Sequence, residues 1–175
     1  AGAGLVALVN WTMIPNMTAI FTALADRVLP RLPASAGRIF FFDLADPEKR
    51  AAEDLRAALA AIGRFEPFGR VTLGLNLKEA HQVAAALGCT ATADDEAGLQ
   101  AMAAEIRATL GIATVVVHPR EFAASCTAKG IARVDGPFTA RPMISTGAGD
   151  HFNAGYCLGR LLGLDEPSSL QAGVG

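Results

Sequence analysis

Residues 38–63 read RIFFFDLADPEKRAAEDLRAALAAIG. Arg38–Phe42 is a short apolar run bounded by polar residues, the pattern of a buried strand. Asp43 follows at once, and Asp46-Pro47 then resembles a helix start with proline in the first turn. Ala52, Leu55, Leu59 and Ile62 recur at helical spacing, and Gly63 suits a C-terminal stop. Strand, polar handover and helix thus form one unit.

The unit repeats in both directions. Leu5–Val9 is a strand, followed by helical spacing of Met17, Ile20, Phe21, Leu24 and Val28. Val71–Leu75 is a strand, followed by a helix striped by Ala80, Val83, Ala84 and Leu87 and closed by Gly88. Leu99, Met102, Ala103, Ile106 and Leu110 mark a further helix, opened by Thr92 with Asp95 and ended by Gly111. Thr114–Val117 is the next strand, Phe122–Thr127 and Ile131–Val134 form a hairpin around Lys129-Gly130, and a last helix begins near Gly149. This alternation predicts an α/β fold, a mostly parallel, doubly wound sheet with helices on both faces. One domain spans residues 1–175, without internal repeat or low-complexity linker. The absence of an initiating methionine and the helical pattern at the very end lead us to expect an incomplete domain.

Composition narrows the function. The chain has 175 residues, 51% hydrophobic and 18% charged, with a net charge of -2. That charge gives no reason to expect nucleic acid or an anionic membrane as partner. No apolar run approaches the roughly 18 residues of a membrane span. Cys89, Cys126 and Cys157 are odd in number and lack metal-type spacing, which suits free thiols and a cytoplasmic location. Two Asn-x-Thr matches, at Asn10 and Asn16, would matter only in a secreted protein.

Parallel sheets bind ligands beyond the carboxyl ends of their strands. The residues after the first four parallel strands are Asn10, Asp43, Asn76 and His118. Each alone is as well explained by helix capping or turn formation; four on one rim point to a site. Trp11, just past the first strand, is placed either to stack on a ligand or to pack.

The most informative stretch is STGAGDHFNAG, Ser145–Gly155. Gly147-Ala148-Gly149 leads into a helix whose free N–H groups attract negative charge. A permanent pyrophosphate site would avoid the adjacent carboxylate of Asp150, and a dinucleotide fingerprint would need glycine where Phe152 stands. A transient anion fits: the amides stabilise a transferring phosphoryl group, and Asp150 takes the proton of the acceptor hydroxyl.

This stretch resembles the signature of the ribokinase-type (PfkB) carbohydrate kinases, Asp-Thr-Thr-Gly-Ala-Gly-Asp-x-Phe-x-x-Gly, through Thr146, Gly147, Ala148, Gly149, Asp150, Phe152 and Gly155. Asn76 and Glu79 match the family's Asn-x-x-Glu motif, which is also nearly a capping box, and FFDLADPEKR resembles its Phe-Asp-Pro-Asn-x-Arg segment. The resemblance spans roughly residues 38 to 175. It implies Asp150 as catalytic base, Gly147–Gly149 as anion hole, and Asn76, Glu79 and Thr146 at the nucleotide, with Glu79 holding magnesium through water. It implies ATP as co-substrate, with ADP as an alternative, and a sugar or nucleoside as acceptor. The family's N-terminal strands, its lid and part of its C-terminus have no counterpart here.

Two departures stand out. His118 and Arg120 replace the family's Thr-x-Gly, where Arg120 could pair with phosphate instead of a backbone approach. Ile144 replaces an acidic residue, so no carboxylate supports the family's monovalent-cation site. The leading reading is a kinase acting on a sugar hydroxyl. A nucleotide- or sugar-sensing relative without catalysis and a nicotinamide enzyme on a similar sheet are the rivals, and a homodimer is left open.

Overall fold

The computed structural model describes residues 2–33, 37–91, 95–141, 143 and 147–175. The elements run β1 (Leu5–Leu8), α1 (Met17–Ala23), β2 (Ile39–Asp43), α2 (Ala52–Gly63), β3 (Arg70–Leu75), α3 (Leu77–Leu87), α4 (Glu96–Leu110), β4 (Thr114–Val117), β5 (Phe122–Thr127), β6 (Gly130–Asp135), α5 (Ala148–Leu161) and α6 (Glu166–Val174). The six strands lie in sequence order in one sheet. β1 to β4 are parallel, and β5 and β6 close it as an antiparallel hairpin.

The period of two along each strand divides the core. Phe40 and Phe42, with Val71, Leu73, Val115 and Val117, face the layer of α1 to α4. Phe41 and Val116 point the other way, onto Phe152, Tyr156 and Leu170 of α5 and α6. Phe21, Phe42 and Phe65 meet edge-on, with centroids 5.1–6.3 Å apart, the arrangement aromatic quadrupoles favour. Truncating one of these rings to alanine costs about 3–5 kcal/mol.

Several local expectations change. Gly63 is the last residue of α2 rather than a left-handed cap, which is a role Gly88 and Gly111 do fill. A methyl at residue 63 would lie 2.9 Å from the Leu110 carbonyl oxygen, so close packing on α4 explains that glycine. Asp95 itself caps α4 by accepting from Gly98 N–H; Thr92 lies outside the described residues. Gly155 and Gly159 serve helix–helix packing, since a methyl at Gly155 would collide with the Ala172 carbonyl oxygen and one at Gly159 would sit 2.8 Å from Ser169 Cα. Trp11 is fully buried, donates to Thr18 Oγ1 at 2.8 Å, and carries the Arg50 guanidinium over its ring at 4.6 Å. It packs the β1–α1 connection and is not a stacking platform. All three cysteines are free thiols. Among the described residues no helix is long and apolar enough to cross a membrane.

Candidate active site

At the carboxyl ends of β2, β3 and β4 the chain leaves a cleft of about 460 Å³. Three of the four rim residues, Asp43, Asn76 and His118, line it; Asn10 is exposed and does not. The mouth of α5 supplies Gly147, Gly149, Asp150 and Asn153.

The α5 mouth follows from its sequence. Gly147 has φ +87°, a left-handed conformation that disfavours any side chain. Side chains cap α3, α4 and α6, but not α1, α2 or α5. Its first amides therefore have no intrahelical acceptor and no side-chain acceptor among the described residues. A methyl at Gly149 would meet only His118 Cε1, at 3.6 Å, so protein packing does not require that glycine. Ala148 is exposed, and Asp150 is exposed in the first turn. Thr146 and Ile144 lie outside the described residues.

Asn76 and Glu79 form the full capping box: Asn76 Oδ1 accepts from Glu79 N–H at 2.9 Å, and Glu79 Oε2 accepts from Asn76 N–H at 3.0 Å. Glu79 also reaches across to the loop after β2, where its Oε1 accepts from Asp46 N–H at 3.0 Å. That bond ties α3 to the segment that follows Asp43. Burial raises the Glu79 carboxyl above the ordinary carboxylate range, and the two N–H donors partly offset the rise. Asp43 accepts from Ala45 N–H at 3.1 Å and from Asn153 Nδ2 at 2.9 Å. Its carboxyl is likewise raised, first by burial; the Ala45 donor counters this, Asp150 adds to it, and Asn153 counters it again.

His118 is neutral at neutral pH, because burial pulls its pKa down to about 4. Its ring stacks on Phe152 at 4.6 Å between centroids. Arg120 is exposed and does not line the cleft. The described wall therefore carries the carboxylates of Asp43, Asp46, Glu79 and Asp150 and no lysine or arginine.

Asn153 was not legible as a site residue. It is buried, and its Oδ1 has no hydrogen-bond partner among the described residues, a loss of about 1–3 kcal/mol for such a group. The available signal was its spacing of three from Asp150, which puts both on one helical face.

This sheet, with acid and amides gathered at one helix mouth, defines the ribokinase (PfkB) class of sugar-kinase folds. A PfkB protein from a Polaromonas species matches 98% of the chain and 51% of its own length, at TM-score 0.66 and 22% identity. Ribokinase from Thermotoga maritima matches 97% of the chain and 47% of its own length, at TM-score 0.66 and 18% identity. The family model described as prokaryotic ketohexokinase matches residues 1–174, and the chain belongs to that family. It is 28% identical over 172 residues to a ketohexokinase of Haloferax volcanii, covering 98% of the chain and 44% of the relative. The chain thus spans less than half the length of that relative and about half that of the solved neighbours.

Proposed function

We propose that the full-length protein transfers the terminal phosphoryl group of a nucleotide, ATP first, to a hydroxyl of a sugar. A ketohexose is the first acceptor to test, on the strength of the family and of the relative's name. One observation supports this above the others: Asp150 and the uncapped amides of α5 open onto the same cleft as Glu79 and Asp43.

In this reading the acceptor hydroxyl oxygen attacks the terminal phosphorus. The bond to the bridging oxygen breaks, and the leaving nucleotide diphosphate keeps that electron pair. Asp150 accepts the hydroxyl proton as the new oxygen–phosphorus bond forms. The amides of Gly147, Ala148 and Gly149 stabilise charge on the moving group, as an oxyanion hole does.

Of the described wall's carboxylates, Asp46 pairs with Lys49 at 3.1 Å. Those of Asp43, Glu79 and Asp150 have no lysine or arginine partner among the described residues and need a counter-charge before the cleft can receive phosphates. The residues fit a hydrated magnesium ion: Asp43, Glu79 and Asp150 bring carboxylate oxygens to one cleft, and both Glu79 oxygens already hold backbone N–H groups, which suits contact through water. Glu79 would hold the ion through water, and the bound ion would neutralise phosphate charge. His118, neutral and stacked, contributes shape rather than charge.

The test is a phosphoryl-transfer assay on the full-length protein. ATP or ADP with magnesium is offered with ketohexoses, aldohexoses and nucleosides. Transfer to a ketohexose is expected. Nucleotide binding by calorimetry with no transfer to any acceptor would overturn the proposal in favour of a sensor.

A further inference from the structure

The carboxylate of Asp43 is gripped from two sides, by Ala45 N–H on Oδ1 and by Asn153 Nδ2 on Oδ2. Asp43 and Asn153 are 110 residues apart in the chain, so only the docking of α5 on the sheet joins them. The family signature asks nothing of residue 153, which falls between its phenylalanine and its final glycine. Yet Asn153 is 8% exposed, with its Oδ1 unpaired and buried. A leucine, branched at the same carbon, would leave no orphaned carbonyl. What asparagine adds is the amide donor.

The sheet makes room for it. Gly74 is the residue paired with Asp43 across β2 and β3. A methyl there would lie 3.2 Å from Asn153 Oδ1 and 2.7 Å from Phe41 Cζ. Strand, neighbouring strand and helix thus each contribute one residue to a single contact at the cleft wall.

We propose that Asn153 is a positioning residue for the reaction: its amide fixes the Asp43 carboxylate in the cleft beside Asp150, and Gly74, kept small first by the Phe41 ring, leaves room for it. The inference deepens the kinase reading and rests on it. Asp43, anchored through both oxygens, is held against rotation and presents a fixed acceptor to water and ligand in the cleft. With Asn153 gone, only the Ala45 amide would hold it.

The experiment compares full-length wild type, Asn153→Leu, Asn153→Asp, Asp43→Asn and the double variant Asn153→Leu/Asp43→Asn. Asn153→Leu is expected to keep or raise the melting temperature while kcat falls about tenfold to hundredfold, as for lost orienting partners, with acceptor KM within about twofold. Asn153→Asp, close in shape but facing Asp43 with like charge, is expected to lower kcat further. The double variant should be no slower than Asp43→Asn alone, because Asn153 acts through Asp43. A parallel fall of melting temperature and kcat, with losses that multiply in the double variant, would make Asn153 merely structural and overturn the proposal. A second readout needs no turnover: one Asn153 side-chain amide proton should exchange slowly in wild type and rapidly in Asp43→Asn. An active enzyme whose Asn153 amide ignores Asp43 would sink this inference alone. An intact coupling in a protein inactive on every acceptor would sink the kinase reading, and with it the catalytic sense of the contact.

Discussion

The two ends of the sheet each carry a hollow, and the larger has more of its polar groups tied up in the fold. At the amino ends of β3 and β4 a groove of about 850 Å³ is lined by Glu66, Arg70, Arg107, Lys129 and Arg160, among others. Most of its polar groups serve the fold. Glu66 Oε2 accepts from both Val71 N–H and Ala113 N–H, at 3.0 and 2.9 Å, and so ties the two strands together. Arg107 donates to Ile112 O and Arg160 to Leu164 O, while Glu166 takes the Tyr156 hydroxyl. The smaller cleft at the carboxyl ends has the opposite character. Among the described residues its carboxylates come from three directions with no lining lysine or arginine, and no side chain caps its helix mouth. In the proposed reading, volume marks where the chain packs loosely, and gathered carboxylates with open helix amides mark where the chemistry falls.

That contrast can be broken by substitution, and the largest effect belongs to the cleft. Asp150→Asn should cut turnover by about 10²- to 10⁴-fold and leave the melting temperature nearly unchanged, because the side chain is exposed. Kinetics and thermal melting check the two halves separately. Glu79→Gln comes next. It should raise the magnesium concentration for half-maximal turnover about tenfold, with some loss of stability as the capping box weakens, read from a magnesium titration and a melt.

The pH response is smaller and has a definite sign. His118 is held at about 4 against an ordinary 6.5, so between those values the unfolded chain takes up a proton that the folded one resists. Its contribution to stability is full above about pH 6.5 and is lost as pH falls through 4. Asp43 and Glu79, whose carboxyls are raised, work in the opposite sense, because the folded state binds their protons first. His118→Gln isolates the histidine: its melting temperature should decline less than that of wild type between pH 6.5 and 4. An unchanged slope would remove His118 from the account. The smallest effect is expected at the other end, where Arg70→Ala or Lys129→Ala should alter turnover by less than about twofold, as exposed substitutions usually do.

The fold was largely open to sequence reading, because alternation of apolar runs with helical stripes reports directly which faces are buried. β4 and β5 fall at the expected residues, and β2 extends one further, since Asp43 pairs with Gly74. What the sequence hid were the reasons for particular residues. Gly63 read as a stop and Gly155 as one position of a signature, whereas they meet α4 and α6, neighbours that periodicity does not name. Asp43, Asn76, His118 and Asp150 were legible as rim residues because each follows a strand or opens a helix. Asn10 met the same rule and stands apart, because the chain there turns to bury Trp11. Asn153 was not legible, since its partner is remote in sequence and it looks like one more residue on a packed helix face.

The central claim is that a phosphoryl group in transfer is held at the mouth of α5. The most direct measurement is amide NMR of the full-length protein titrated with magnesium, ADP and aluminium fluoride in the presence of a ketohexose, a mimic of the transferring state. The account predicts that the largest shifts fall on the amides of Gly147, Ala148, Gly149 and Asp150, with smaller ones at Asn76 and Glu79. Shifts gathered instead around Arg70, Arg107 and Lys129, with the α5 amides unmoved, would contradict it.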